Sequence, residues 1–180
     1  CLRDARKLCG REYTSDEILA EVAKDKLFYD NSGGGVTFSG GEPLLQAEFV
    51  AAVAELLKKE GLHVAIDTCG APLTPAAERL IEVADMFLLD IKMTTEEDYK
   101  RYTCGSLEAT MAFLDRLEEK GKDVWIRHVV VPGINDTEED VLRLASLIKG
   151  YRSIKKVELL PFKNLCLEKY KALNIPFPLD

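Results

Sequence analysis

A carboxylate, Glu42, directly follows the glycine pair Gly40 and Gly41 at the end of the run Val36-Thr37-Phe38-Ser39. The β-branched and aromatic residues read as a strand, the glycines as the turn that ends it, and Pro43 as the first position of a helix. A carboxylate held beside backbone that lacks side chains is a receptor for a ligand's ammonium group. Gly40 and Gly41 let the ligand's main-chain-like atoms lie against the protein backbone, where a Cβ would stand in the way. Negative charge is also favoured in the first turn of a helix, so the turn by itself leaves both readings of Glu42 open.

Further charged groups punctuate later apolar runs: Asp67 closes one, Asp90 closes the next, and Arg127 and Lys163 mark two more. Two carboxylates that converge at low dielectric repel, so either one takes up a proton or a cation stands between them. The alternative is that each accepts bonds from amides of its own turn. Lys92 follows Asp90 by two and points to the same side of an extended chain; a buried lysine needs an anion, and Asp90 itself would serve. His63 and His128 each stand alone and are assigned no role.

These groups need elements to place them. Thr14-Ser15-Asp16-Glu17 is a capping box that starts a helix running to about Phe28. A second helix, about Leu45 to Glu60, carries Leu45, Phe49, Val53, Leu56 and Leu57 on one face and closes at Gly61. Strands are expected over His63–Thr68, Met86–Lys92, Val124–Val131 and Val157–Leu160. Between them fall helices capped at Thr74, marked by Leu107, Met111, Leu114 and Leu117, and marked by Val141, Leu144, Ala145 and Ile148. Apolar strands alternating with amphipathic helices mean parallel βαβ units with both sheet faces covered. Right-handed crossovers allow a partial (β/α) TIM-like barrel or a doubly wound sheet. Polar residues at the C-terminal ends of successive strands favour the α/β partial barrel, where active sites are built at that rim.

The 180 residues suit one domain, and the net charge of −7 argues against a nucleic-acid partner. No apolar run approaches the roughly 20 residues of a membrane span. The five cysteines form no CxxC pair, which points to reduced thiols; with no signal-peptide pattern at the start, a cytoplasmic location is expected.

The string Gly-Gly-Gly-Val-Thr-Phe-Ser-Gly-Gly-Glu-Pro-Leu-Leu-Gln, residues 33–46, resembles the second-strand motif of radical S-adenosylmethionine enzymes, and within them the glycyl-radical-enzyme activases. Asp67-Thr68-Cys69-Gly70 is similar to their Asp-Thr-Asn-Gly segment and Leu89-Asp90-Ile91-Lys92 to Leu-Asp-Leu-Lys. The run Val124 to Gly133 resembles the Trp-Ile-Arg-Tyr-Val-Val-Val-Pro-Gly of formate-lyase activases, and Glu158 to Lys163 resembles Glu-Leu-Leu-Pro-Tyr-His. These motifs fall in family order, and the resemblance runs from about Thr14 to Phe162.

The resemblance implies site roles. Gly40, Gly41 and Glu42 would bind the amino group of S-adenosylmethionine, Lys92 its carboxylate, and Arg127 would be a pocket cation. Val129 with Val130 would flank the adenine. Lys163 stands where the family's histidine contacts the ribose. Asp67 and Asp90, with backbone carbonyls of Thr68 and Leu88, would surround a monovalent cation. The implied activity is reductive cleavage of S-adenosylmethionine against a [4Fe–4S] cluster to place a radical on a glycine of a partner. That partner would be a glycyl radical enzyme of formate-lyase, dehydratase or lyase type, and the electron donor a flavodoxin or ferredoxin.

The family's CxxxCxxC cluster loop has no counterpart in these 180 residues, so the barrel is expected to lack its first strand and cluster loop and the chain alone to be inactive. Cys1-Leu2-Arg3-Asp4-Ala5 resembles the end of a ferredoxin-like motif, which makes Cys1 a candidate ligand of an auxiliary cluster. Residues 1–13 would be the remnant of that insert, 14–163 the barrel and 164–180 a C-terminal extension. Two other readings stay open: a barrel enzyme holding Mg²⁺ on Asp67 and Asp90 for carbanion or phosphate chemistry, and a non-catalytic ligand-binding domain.

Overall fold

The computed structural model describes residues 10–165 and 167–177. Cys1, with its proposed cluster role, and most of the 1–13 segment lie outside the described residues. The core is one five-stranded parallel sheet: β1 (Gly35–Phe38), β2 (His63–Thr68), β3 (Met86–Asp90), β4 (Asp123–Val130) and β5 (Ile154–Pro161). Spatial order equals chain order, β1-β2-β3-β4-β5, and every pairing is parallel. A doubly wound sheet reverses direction at a switch point. Here nothing reverses, so the sheet is an unclosed, barrel-type α/β sheet.

A constant direction with right-handed crossovers places the connecting helices on one face. They are α3 (Ala47–Lys59), α4 (Pro75–Val83), α6 (Leu107–Glu119) and α7 (Glu138–Ile148). Val64, Ile66, Phe87, Leu89, Val124 and Ile126 alternate along their strands into that layer and are fully buried. Phe87 meets Phe113 of α6 edge-to-face at 5.8 Å, a geometry that adds about 0.5–1.5 kcal/mol to the burial itself. The opposite face carries Thr37, Asp67, Leu88, Trp125 and Arg127, none of them buried. The expectation of a sheet covered on both faces is therefore corrected: helices cover one face, and the other is the inner wall of an incomplete barrel.

Local chemistry explains most boundaries. Thr14 and Glu17 form the anticipated capping box, but the helix breaks into α1 (Ser15–Val22), a 3₁₀ turn and α2 (Lys26–Ser32). Thr74 caps α4 through Ala77 N–H at 3.1 Å. The helix expected from Leu45 instead opens as a 3₁₀ turn, Pro43–Gln46. That turn shifts the phase, so α3 buries Ala47, Val50, Ala51, Val53, Ala54 and Leu57 while Leu45 is 72% exposed. One helix had no apolar periodicity to announce it: α5 (Glu96–Thr103), capped by Thr95 and buried only at Tyr99. A last short helix, α8 (Leu167–Leu173), follows β5. Among the described residues, no helix is long and apolar enough to cross a membrane.

Candidate functional site

The C-terminal rim of the sheet gathers almost every charged residue singled out above. Glu42 caps the 3₁₀ turn by accepting from Leu44 N–H at 3.0 Å, which is the helix-start role. It does more: Oε1 also accepts from Thr68 Oγ at 2.6 Å and Oε2 from Cys69 N–H at 2.9 Å. The carboxylate therefore ties the turn after β1 to the end of β2. Gly40 has φ +115°, which only glycine adopts readily, whereas Gly41 has ordinary backbone and no protein atom within 4 Å of where a Cβ would be. Neither conformation nor packing asks for glycine at Gly41; close approach of a ligand would.

Asp67 and Asp90 do converge, and the cation between them belongs to the protein. The Arg127 guanidinium pairs with Asp67 through one nitrogen and donates from Nε to Asp90 at 2.8 Å. Asp67 accepts from Ser39 Oγ at 3.0 Å on its other oxygen, and Asp90 pairs with Lys92 on its own. Burial alone would ease Arg127 towards neutrality, but its pairs with Asp90 and Asp67 outweigh that and hold its pKa above the ordinary value. Three carboxylates face two cations here, a local excess of one negative charge. Neither Arg127 as a bridge nor Ser39 as a partner was foreseen; Asp67 and Arg127 are 60 positions apart, and only the strand register brings them together.

The remaining expected residues are less central. Val129 lies in β4 and its carbonyl accepts from Asn135 Nδ2 at 3.0 Å. Lys163 is exposed beyond β5, and among the described residues it makes no ion pair with the cluster. His128 is structural: it is buried, bonded through Nδ1 to Ile91 O at 2.7 Å and through Nε2 to Asn135. Cys69, at the position of the family's asparagine, has its thiol pushed up to about 11 by burial and by Glu42, so it is neutral at physiological pH. A cleft of about 600 Å³ opens at Ser39, Gly41 and Glu42, with Arg11, Tyr13 and Phe49 across from them.

An all-parallel sheet wound in one direction, with a glycine–carboxylate turn after one strand and an acid–base cluster along the rim, defines a partial-barrel cofactor enzyme. The Radical SAM superfamily model matches residues 1–145. The pyruvate formate-lyase-activating enzyme of Clostridium pasteurianum is 43% identical over 170 residues, covering 94% of this chain and 71% of that protein. The pyruvate formate-lyase 1-activating enzyme of Escherichia coli K12 is 38% identical over 95% of this chain and 70% of its own length. A crystallised domain of pyruvate-formate lyase-activating enzyme from Bacteroides vulgatus superposes with TM-score 0.65 at 22% identity, over 78% of this chain and 93% of that one, a likeness of fold. The chain belongs to the Radical SAM superfamily, among the pyruvate formate-lyase-activating enzymes.

That family implies S-adenosylmethionine and a [4Fe–4S] cluster. The cluster does not fit the described residues: no group of three His, Cys, Asp or Glu among them could hold a metal, and the free thiols Cys69 and Cys104 belong to different segments. Cys9 and Cys166, like Cys1, are outside the described residues. S-adenosylmethionine does fit, since Gly41 leaves room beside Glu42 and cations stand along the same rim.

Proposed function

We propose that this chain is the core of a glycyl-radical-enzyme activase and that its rim holds the amino-acid head of S-adenosylmethionine. The observation that carries this reading is the rim's charge arrangement. Glu42 beside an open glycine suits an ammonium, and Lys92 and Arg127 suit a carboxylate. The local excess of one negative charge complements a ligand whose ammonium, carboxylate and sulfonium sum to +1. When bound, S-adenosylmethionine would supply, by one-electron reductive cleavage of its C–S bond to methionine, the 5′-deoxyadenosyl radical that takes a hydrogen atom from a glycine. The protein's own part is to orient the head, exclude water and balance charge; none of these residues acts as a general acid or base.

Val129 and Lys163 would attend the adenosine end. A monovalent cation would use Asp67 and Asp90 with carbonyls of Thr68 and Leu88, and would share those carboxylates with Arg127. Residues 14–163 form the barrel unit in this reading, with 164–180 an extension and 1–13 the end of an insert. The 180 residues hold no CxxxCxxC, so the ligands of the catalytic cluster would lie outside them and the 180-residue chain alone would be inactive. The partner would be a glycyl radical enzyme of formate-lyase type, with flavodoxin or ferredoxin as electron donor, in the cytoplasm. The test is the full gene product, reconstituted anaerobically with iron and sulfide and mixed with S-adenosylmethionine, reductant and pyruvate formate-lyase. A glycyl-radical doublet in the electron paramagnetic resonance spectrum of the lyase is expected. A fully loaded protein that yields no such signal from formate-lyase, dehydratase or lyase-type partners would remove the reading.

A further inference from the structure

Two buried hydroxyls connect the two sides of this rim. Tyr99 of α5 is 3% exposed and Thr110 of α6 is 2% exposed. Lys92 N–H donates to Tyr99 Oη at 3.0 Å, Tyr99 Oη and Thr110 Oγ are 3.2 Å apart, and Thr110 Oγ donates to Cys69 O at 3.0 Å. With the threonine O–H on Cys69 O, the tyrosine O–H is the donor between the two hydroxyls; it has two acceptors in reach, Thr110 Oγ at 3.2 Å and Asp90 O at 3.5 Å, and Thr110 is the nearer. The N–H of Cys69 then donates to Glu42 at 2.9 Å. An unbroken path thus runs from the backbone of Lys92 to the carboxylate of Glu42.

We propose that Tyr99 and Thr110 are positioning residues that set the separation of Lys92 from Glu42, and hence the grip on the two ends of the ligand's amino-acid head. This rests on the reading of Glu42 and Lys92 given above. The two helices are themselves clamped, because Glu96 of α5 accepts from Leu107 N–H at 2.8 Å and Glu108 N–H at 3.1 Å at the start of α6. The helices that carry Tyr99 and Thr110 are therefore tied to each other as well as to the strand ends. Buried hydroxyls kept only for stability could end on any carbonyl; these end on the two backbones that carry the site. Ser106 O, 3.2 Å from Thr110 Oγ in the same helix turn, is the competing acceptor, and it is the farther one.

The experiment uses the full gene product and calorimetric titration with two ligands. One is S-adenosylmethionine; the other is 5′-methylthioadenosine, which lacks the amino-acid head. Tyr99→Phe and Thr110→Val keep shape and remove a hydroxyl; Thr110→Ser keeps the hydroxyl. Loss of one hydrogen bond in the path is expected to weaken S-adenosylmethionine about three- to tenfold in the first two variants. Methylthioadenosine affinity should be unchanged, and Thr110→Ser should behave as wild type. Equal weakening for both ligands, or no weakening at all, would overturn the proposal. Glu42→Gln is the control: if it too binds S-adenosylmethionine normally, the underlying site reading fails; if it alone is impaired, only the positioning role fails. Should Tyr99→Phe not fold, the Val and Ser pair at Thr110 decides.

Discussion

Glu42→Gln is expected to weaken S-adenosylmethionine binding by about 1.5–3 kcal/mol, roughly ten- to a hundredfold, as for loss of a charge-assisted bond. The effect has two sources. The amide removes the charge that faces the ligand's ammonium, and it also presents N–H groups where protein donors already point. Leu44 N–H and Thr68 Oγ share one carboxylate oxygen, and Cys69 N–H uses the other. Whichever way the amide turns, at least one of these donors loses its acceptor, which costs a further ~1–3 kcal/mol of stability. Affinity by calorimetry and unfolding by denaturant therefore have to be measured together. A variant that loses stability while keeping wild-type affinity would show that Glu42 only anchors the turn.

The largest stability loss is expected at Arg127. Its guanidinium lies between side chains of Asp67 and Asp90 that are 19% and 16% exposed. Removing one partner of a buried ion pair leaves an uncompensated charge, at about 3–5 kcal/mol. Arg127→Met should approach that figure in urea denaturation. The two aspartates are not equivalent. Among the described residues, Asp90 keeps Lys92, whereas Asp67 keeps only Ser39 Oγ. Adding Asp67→Asn to Arg127→Met should therefore recover more stability than adding Asp90→Asn. A single-variant loss below about 0.5 kcal/mol would mean that water screens these pairs as it does at an open surface.

Much of this rim is legible in the sequence. Asp67, Asp90 and Arg127 interrupt apolar runs, and a polar residue ending a buried strand is a strong positional signal. Glu42 was marked by its glycines. The partners were not legible, because register is long-range information: Asp90 opposite Arg127 follows from β3 pairing with β4. A proton, a cation or the amides of their own turns were all open as partners of the two carboxylates; in the structure a protein guanidinium lies between them. α5 escaped because it buries a single side chain and leaves no periodic trace; its one cue was the capping sequence Thr95-Glu96-Glu97-Asp98. With α5 unseen, Tyr99 and the path to Thr110 were out of reach. The phase error at Leu45 and Phe49 came from the 3₁₀ turn that Pro43 begins, since a change of helix type rotates every later residue.

The central claim is that this rim holds the amino-acid head of S-adenosylmethionine for radical formation. Its most direct measurement is 5′-deoxyadenosine released by the reconstituted full gene product under reducing, anaerobic conditions, in wild type and in Lys92→Met. Wild type should release it well above a protein-free control. Lys92→Met, with equal iron and sulfide content, should release it at least about tenfold more slowly at limiting S-adenosylmethionine, as expected when a charge-assisted contact is lost. Equal release by both proteins would place the ligand's head elsewhere and contradict the site described above.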